Sequence, residues 1–256
     1  MKLSFDRNQR IQLLLEEKHC IGRIQGGTPR PCEQVEETNT RQCPACRSKQ
    51  AIQTCALCTG GECLNPSMRR TYCQNPFVCY LAGFLPDILK VGVALKRRYR
   101  RRVYEQGADL ATVLAVKPNG QKARKLEHTI AKTKITDRVR KREKLWGVHA
   151  GSLNQLWEKF QTVRNEVTKT FNLPVNHQIL ALYELAGYPS LNKKPLTVEL
   201  RKGKRISGEL RGIKGSWLIL QELDAFYALN VWQLAGWIVS HTEKRMRVQS
   251  SLKRFQ

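Results

Sequence analysis

All nine cysteines of this chain fall before residue 80, at positions 20, 32, 43, 46, 55, 58, 63, 73 and 79, and no other feature constrains the fold as strongly. Cys43-x2-Cys46 and Cys55-x2-Cys58 are two knuckle pairs with eight residues between them. A Cys-x2-Cys turn sets two thiolates along one edge of a tetrahedron. Two such turns therefore complete a four-thiolate zinc shell with Zn–S bonds of about 2.3 Å. Residues 26–40 hold Gly-Gly, prolines and scattered charge, which is loop composition with little apolar material for a core. Metal is the expected organiser of this region. A redox reading fits less well, because a thioredoxin-type site uses one Cys-x2-Cys at a strand–helix junction.

Eight cysteines divide into two fours. The expected partition places one structural zinc on Cys20, Cys32, Cys43 and Cys46 and another on Cys55, Cys58, Cys63 and Cys73. A single ion on Cys43, Cys46, Cys55 and Cys58 is the simpler alternative. Cys79 stands in an apolar run and reads as a core residue. Compartment supports metal over disulfides. The first residues lack a signal-peptide stretch, being interrupted by Arg7, Arg10, Glu16 and Glu17, and no apolar run approaches the ~18–20 residues of a membrane span. A cytoplasmic protein, without membrane attachment, is expected.

Charge narrows the partners. The 256 residues carry 45 Lys or Arg against 21 Asp or Glu, a net charge of +24. Such a surface attracts polyanions, so nucleic acid, DNA or RNA, is the expected partner. Between Lys90 and Lys144 there are 18 basic residues and 5 acidic ones, so more than half the excess sits in about a fifth of the chain. The densest run is Lys96-Arg97-Arg98-Tyr99-Arg100-Arg101-Arg102. On a helix Arg98, Arg101, Arg102 and Glu105 share one side. Mutual repulsion in this run would be relieved by a phosphate backbone, with salt-sensitive binding as the consequence. Lys90, Lys96, Arg97, Arg98, Arg100, Arg101, Arg124 and Lys125 are the candidate contacts; Tyr99 and Tyr104 are placed either to stack on bases or to face the sheet.

Along the chain, residues 3–15 read as a strand or short strand pair. Residues 77–82 and 88–93 read as strands joined by a turn, 96–106 as a basic helix stopped by Gly107, 110–116 as a strand and 121–134 as a helix. Ser152 with Gln155 three residues on is a capping-box pattern. Leu153, Leu156, Phe160, Val163, Val167 and Phe171 then mark an amphipathic helix of about five turns whose stripe serves packing. Residues 195–241 hold four or five short strands, with 196–200 meeting 205–210, and a small closed or semi-closed barrel is the economical arrangement. The basic tail after His241 reads as solvated. The whole is α+β: N-terminal strands and a zinc-binding cysteine-rich region (1–76), a basic α/β domain (77–147), a helical linker (148–175) and a small barrel-like domain with the tail (176–256).

Several residues of the middle segment resemble the GIY-YIG endonuclease superfamily: Tyr80, Lys90-Val91-Gly92-Val93, an Arg-bearing helix, and Leu126-Glu127 on the next helix. A closer likeness is to an uncharacterised Cys-rich family carrying such a core. Cys73, Pro76 and Tyr80-Leu81-Ala82 are similar to its cysteine, proline and YLA strand. Lys90-Val91-Gly92-Val93-Ala94 and Arg102-Val103-Tyr104-Glu105-Gln106-Gly107-Ala108 are similar to its KVGIT and RWIDQGA segments. Residues 208–219 are similar to its GxLxGIKGQYLI pattern. The resemblance implies phosphodiester cleavage with one Mg2+ or Mn2+: Tyr80 helping to activate water, Arg102 steadying the phosphate, Glu127 holding the metal, and Gly92 allowing close backbone approach. Lys90 replaces the tyrosine of the second motif, and Ala94 stands where a hydroxyl residue is usual. Three functions follow: a zinc-stabilised nucleic-acid-binding protein, a metal-dependent endonuclease, or a basic structural subunit of a ribonucleoprotein. No Walker loop, dinucleotide fingerprint or hydrolase serine elbow points elsewhere.

Overall fold

Two sheets carry the fold, one built from the middle of the chain and one from its two ends. The structure is a computed structural model that describes residues 9–241 apart from 26–27, 35–36, 50–54, 56, 64, 134, 141, 151, 176, 183–190 and 192. Residues 3–8 of the first expected strand, Lys134 at the end of an expected helix, and the basic tail lie outside the described residues.

The middle sheet has the order β5-β4-β6-β7. β4 (Phe77–Phe84) is antiparallel to both β5 (Ile88–Leu95) and β6 (Leu110–Lys117), with β7 (Leu180–Ala181) at the far edge. All eight residues of β4 are buried, as a strand covered on both faces requires. After β5 a 3-10 turn (Lys96–Arg98) leads into α3 (Tyr99–Gln106), which stops at Gly107 in the left-handed conformation, φ 72°. α4 (Gly120–Ala131) begins where the Asn119 side chain accepts from the Lys122 amide at 2.9 Å. α6 (Leu153–Thr170) begins where the Ser152 hydroxyl accepts from the Gln155 amide at 3.3 Å, the cap that the sequence pattern implies. Leu81, Leu110, Leu114 and Ile130 pack with Leu156 and Phe160 of α6 on one face of the sheet. Val78, Tyr80 and Phe84 pack with Tyr99 and Val103 of α3 on the other. Cys79, fully buried, belongs to the first of these cores.

The second sheet has the order β12-β1-β9-β10-β11-β8. Its members are β1 (Arg10–Lys18), β8 (Leu196–Thr197), β9 (Arg205–Lys214), β10 (Trp217–Glu222), β11 (Ala225–Asn230) and β12 (Trp237–His241). Burial alternates along the whole of β9, which places Ile206 and Leu210 against Ile11, Leu15, Leu218, Leu220 and Leu229. Among the described residues this sheet does not close into a barrel. β12 and β8 stand at its opposite ends, and β8, two residues long, is too short an edge to bridge them. Nor does 196–200 pair as a strand with 205–210: β8 pairs in parallel with β11 instead, while Val198 and Leu200 pack against the core that holds Ile206 and Leu210. The strand expected at 3–15 is β1, hydrogen-bonded between β9 and β12, so the chain's beginning is built into its end.

Short elements also appear where sequence composition implies loop: a hairpin of β2 (Arg23–Gln25) and β3 (Thr28–Arg30), and the helices α1 (Pro44–Ser48) and α2 (Pro66–Arg70). α5 (Glu143–Ala150) lies where no periodic stripe marks a helix, and α7 (Val231–Leu234) is a single turn between β11 and β12. No helix among the described residues is long and apolar enough to cross a membrane.

The sheets are joined by a buried ion pair. Lys214 Nζ, at the end of β9, donates to Asp109 Oδ1 at 2.9 Å and Oδ2 at 2.7 Å, and Asp109 Oδ2 also accepts from the Leu85 amide at 2.7 Å. Asp109 is 0% and Lys214 2% exposed. Beside the pair, Gly107 and Gly215 both have positive φ, and a Cβ on Gly215 would stand 2.5 Å from the Gly107 amide nitrogen. Backbone meets backbone there, which only glycine permits.

Candidate metal centre and basic face

Cys20, Cys32, Cys43 and Cys46 converge from three separate pieces of chain. Cys20 follows β1, Cys32 follows the β2–β3 hairpin, and Cys43 caps α1 with Cys46 inside it. Their sulfurs all lie within 4.8 Å of one another, and Cys32 Sγ is 3.9 Å from Cys43 Sγ. A tetrahedral shell with Zn–S bonds of about 2.3 Å has S–S edges of about 3.8 Å, which the Cys32–Cys43 separation matches and to which the rest of the quartet is close. Three backbone amides point at the sulfurs: Gly22 to Cys20 at 3.4 Å, Cys43 to Cys20 at 3.2 Å, and Cys46 to Cys43 at 3.4 Å. Such donors stabilise thiolate rather than thiol.

Without a cation the arrangement resists ionisation. Burial first, then the neighbouring sulfurs of Cys20, Cys43 and Cys32, push the Cys46 thiol up to about 12. A divalent ion at the centre reverses that penalty, since coordination deprotonates thiols outright. The quartet can therefore hold a zinc ion, and no position remains for a reacting ligand. The site is anchored to the second sheet: the His19 amide donates to Gly236 O at 2.8 Å, and the Arg41 guanidinium lies 5.1 Å from the Trp232 ring centroid.

The alternative ion on Cys43, Cys46, Cys55 and Cys58 is not what the chain brings together. Cys55, Cys58, Cys63 and Cys73 line a different cavity, beside α4 of the middle sheet.

The basic run occupies the 3-10 turn and α3. Lys96, Arg97, Arg98, Arg100, Arg101 and Arg102 are all exposed, and so is Lys125 on α4; Lys90 and Arg124 are half-buried. Glu105 faces Arg101 at 2.6 Å and Arg98 at 3.8 Å, the shared side that the three/four spacing implies. Tyr99 is buried, with its ring centroid 5.6 Å from that of Tyr80, so it serves the core; Tyr104 is exposed beside the arginines.

Tyr80, Lys90, Arg102 and Glu127 are electrostatic neighbours at the β5 edge. Burial raises the Glu127 carboxyl, against the pull of Arg124, Lys90 and a hydrogen bond from the Val93 backbone. Burial also lowers the Lys90 amine, with Arg102 adding to the effect and Glu127 opposing it. Tyr80 is 1% exposed, its hydroxyl donates to Gln106 Oε1 at 3.2 Å, and burial pushes it up to about 12. Gly92 lies opposite Tyr80 in the β4–β5 register, and a Cβ there would stand 2.6 Å from the tyrosine oxygen. The close approach that Gly92 permits is thus to the ring of Tyr80. Among the described residues, Glu127 gathers with no two further Cys, His, Asp or Glu side chains into a metal-sized group; the cysteine quartet is the group of that kind.

Gln106, Asp109 and Lys214 do not stand out in the sequence as site residues. A signal was nonetheless present in the two glycine-bearing segments, Gln106-Gly107-Ala108 and Gly212-Ile213-Lys214-Gly215, which meet in space.

A family model described as a protein of unknown function (DUF2797) matches residues 9–239. No curated protein and no solved structure matches the chain.

Proposed function

The chain belongs to the DUF2797 family of proteins of unknown function, and from that premise we propose that it is a zinc-stabilised nucleic-acid-binding protein. Its contact surface is the 3-10 turn and α3, flanked by Lys90 and by Arg124 and Lys125 of α4. The observation that carries this reading is the exposure of all six cations in the seven residues 96–102, on a turn and helix packed against one face of the middle sheet. Glu105 partly neutralises two of them and holds their side chains in place. Phosphates are the natural counter-charge for such a row, and arginine presents a planar fork that matches them. The zinc quartet organises the N-terminal region on the second sheet, and the buried Asp109–Lys214 pair holds that sheet against the middle one.

Fluorescence anisotropy with labelled duplex DNA, single-stranded DNA and structured RNA tests the reading. Binding should weaken as salt rises. Arg98→Glu with Arg101→Glu should weaken it further and reduce the slope of log K against log salt by about 1 for each phosphate that is no longer neutralised. Unchanged affinity in the double variant would remove α3 as the contact surface.

A second reading, a metal-dependent endonuclease with a GIY-YIG-like core, is supported by the electrostatic proximity of Tyr80, Arg102 and Glu127. The Tyr80 strand, the Gly92 strand, the Arg102 helix and the Glu127 helix also pack around one sheet. Mg2+ or Mn2+ is often held by one or two carboxylates plus the substrate's phosphate oxygens, which a lone Glu127 could satisfy. The buried, hydrogen-bonded state of Tyr80 weighs the other way, because a group assisting water must reach it. Metal-dependent plasmid nicking that Glu127→Ala abolishes, with binding retained, would establish this reading over the first.

A further inference from the structure

We propose that Cys55, Cys58, Cys63 and Cys73 form a second structural zinc centre, docked on α4 and separate from the first. The four cysteines line one cavity of about 30 Å3, room for a single ion. Among the described residues no carboxylate or imidazole lines it, so the charged donors there are all sulfur, which selects zinc among abundant divalent ions.

The local geometry repeats that of the first site. In Cys20-x-Gly22 the glycine has φ +75° and its amide donates to the cysteine sulfur at 3.4 Å. In Cys58-x-Gly60 the glycine has φ +87° and its amide donates to the cysteine sulfur at 3.4 Å. A turn that aims an amide at a sulfur serves a thiolate in the first quartet, and the same turn recurs in the second.

Charge and packing agree. Four thiolates around Zn2+ carry a net charge of −2, and two guanidiniums, Arg69 and Arg124, line the cavity. Cys73 sits against the start of α4 so closely that a Cβ on Gly120 would be 3.1 Å from its sulfur, which places a thiolate beside a helix N-terminus. The knuckle itself rests on the helix backbone. A Cβ on Gly60 would lie 2.3 Å from the Lys125 amide nitrogen, and Gln121 Nε2 donates to Gly61 O at 2.8 Å.

The second quartet is more open than the first: among the described residues, no three of its sulfurs lie within 4.8 Å of one another, whereas all four of the first do. Metal closes it: Zn2+ replaces four thiol protons, four Zn–S bonds form, and the protons pass to solvent. That closure would fix the cysteine-bearing segment between α1 and β4 onto α4. Each quartet thus staples its part of the N-terminal region to a different sheet, the first to the C-terminal sheet and the second to the middle one.

Zinc content of the full chain, measured by mass spectrometry of the metal after zinc saturation and gel filtration, tests this without reference to nucleic acid. Two zinc per chain are expected for the wild type, one for Cys63→Ser and one for Cys46→Ser. One zinc in the wild type, or two retained in Cys63→Ser, would overturn the proposal. If either variant fails to fold, cobalt titration of the wild-type apoprotein decides. Tetrathiolate absorption saturating at two equivalents supports the second centre, and saturation at one refutes it.

Discussion

Replacing Lys214 with methionine should destabilise the junction of the two sheets far more than an ordinary surface change. The Lys214 ammonium is 2% exposed and makes two charge-assisted hydrogen bonds to Asp109, at 2.9 and 2.7 Å. Removing it leaves a carboxylate with 0% exposure beside the Leu85 amide, without its counter-ion. Hydrogen bonds to charged groups contribute about 1.5–3 kcal/mol each. Breaking a buried pair by deleting one partner costs about 3–5 kcal/mol, which agrees with the loss of two such bonds. Lys159–Asp87 is the control: at 3.1 Å its geometry is similar, but its side chains are 48% and 64% exposed, so Lys159→Met should cost under about 1 kcal/mol. Adding Asp109→Asn to Lys214→Met should recover much of the loss. The amide oxygen can still accept from Leu85, and no unpaired charge remains. Urea denaturation at fixed zinc concentration, with the four proteins of the double-mutant cycle, measures both terms. A Lys214→Met cost no larger than that of Lys159→Met, or no recovery in the double variant, would refute the idea that a desolvated charge pair holds the sheets together.

Cys46→Ser should release the first zinc and unfold α1 and the β2–β3 hairpin while the middle sheet persists; amide hydrogen exchange would show protection lost over residues 20–48 and kept in β4. Glu127→Gln should raise stability at neutral pH. Burial holds the Glu127 carboxyl above its ordinary 4.5, so folding favours the protonated form; the stability this gives is present below pH 4.5 and is lost as pH rises through the raised value. The glutamine variant should therefore melt higher than wild type at pH 7, with the gap closing below pH 4.5 in thermal scans. Gly215→Ala should destabilise by more than the usual glycine penalty, because its φ of +58° and the 2.5 Å approach to the Gly107 nitrogen leave no place for a methyl group; the denaturation midpoint would report it.

The middle of the chain is the most legible in sequence. β4, β5 and β6 fall at the expected apolar runs because each is short, buried and bounded by turns, and local composition suffices to mark them. α3 ends at Gly107 and α6 begins at Ser152 for similarly local reasons, a left-handed glycine and a hydroxyl cap. The ends are less legible because their partners are distant in sequence. β1 pairs with β9, Arg10 facing Glu209, and with β12, Leu13 facing His241, so both partners are very distant in sequence, and nothing in the Arg10–Lys18 segment itself specifies those neighbours. Five short strands near the C-terminus suggest a barrel when they are considered without β1. Inserting a sixth strand from the other end gives an open sheet.

The cysteines divide the same way, and the division explains the topology. Their spacing makes two quartets a reasonable expectation, but spacing alone cannot choose between them and a single ion on the two Cys-x2-Cys pairs. The choice is made by what each segment rests on. Cys20 is carried by β1, so the first quartet must form on the C-terminal sheet, whereas Cys73 leads directly into β4 and must stay with the middle sheet. A single ion on Cys43, Cys46, Cys55 and Cys58 would draw those two attachments together at the short stretch between Cys46 and Cys55. Under the proposal of a second centre, the cysteine-rich region is two half-modules, each fastened to its own sheet, rather than one zinc domain preceding the rest. On this view the basic face of α3 lies at the middle of a two-sheet scaffold, with the ion pair at Asp109 just beyond the helix's end.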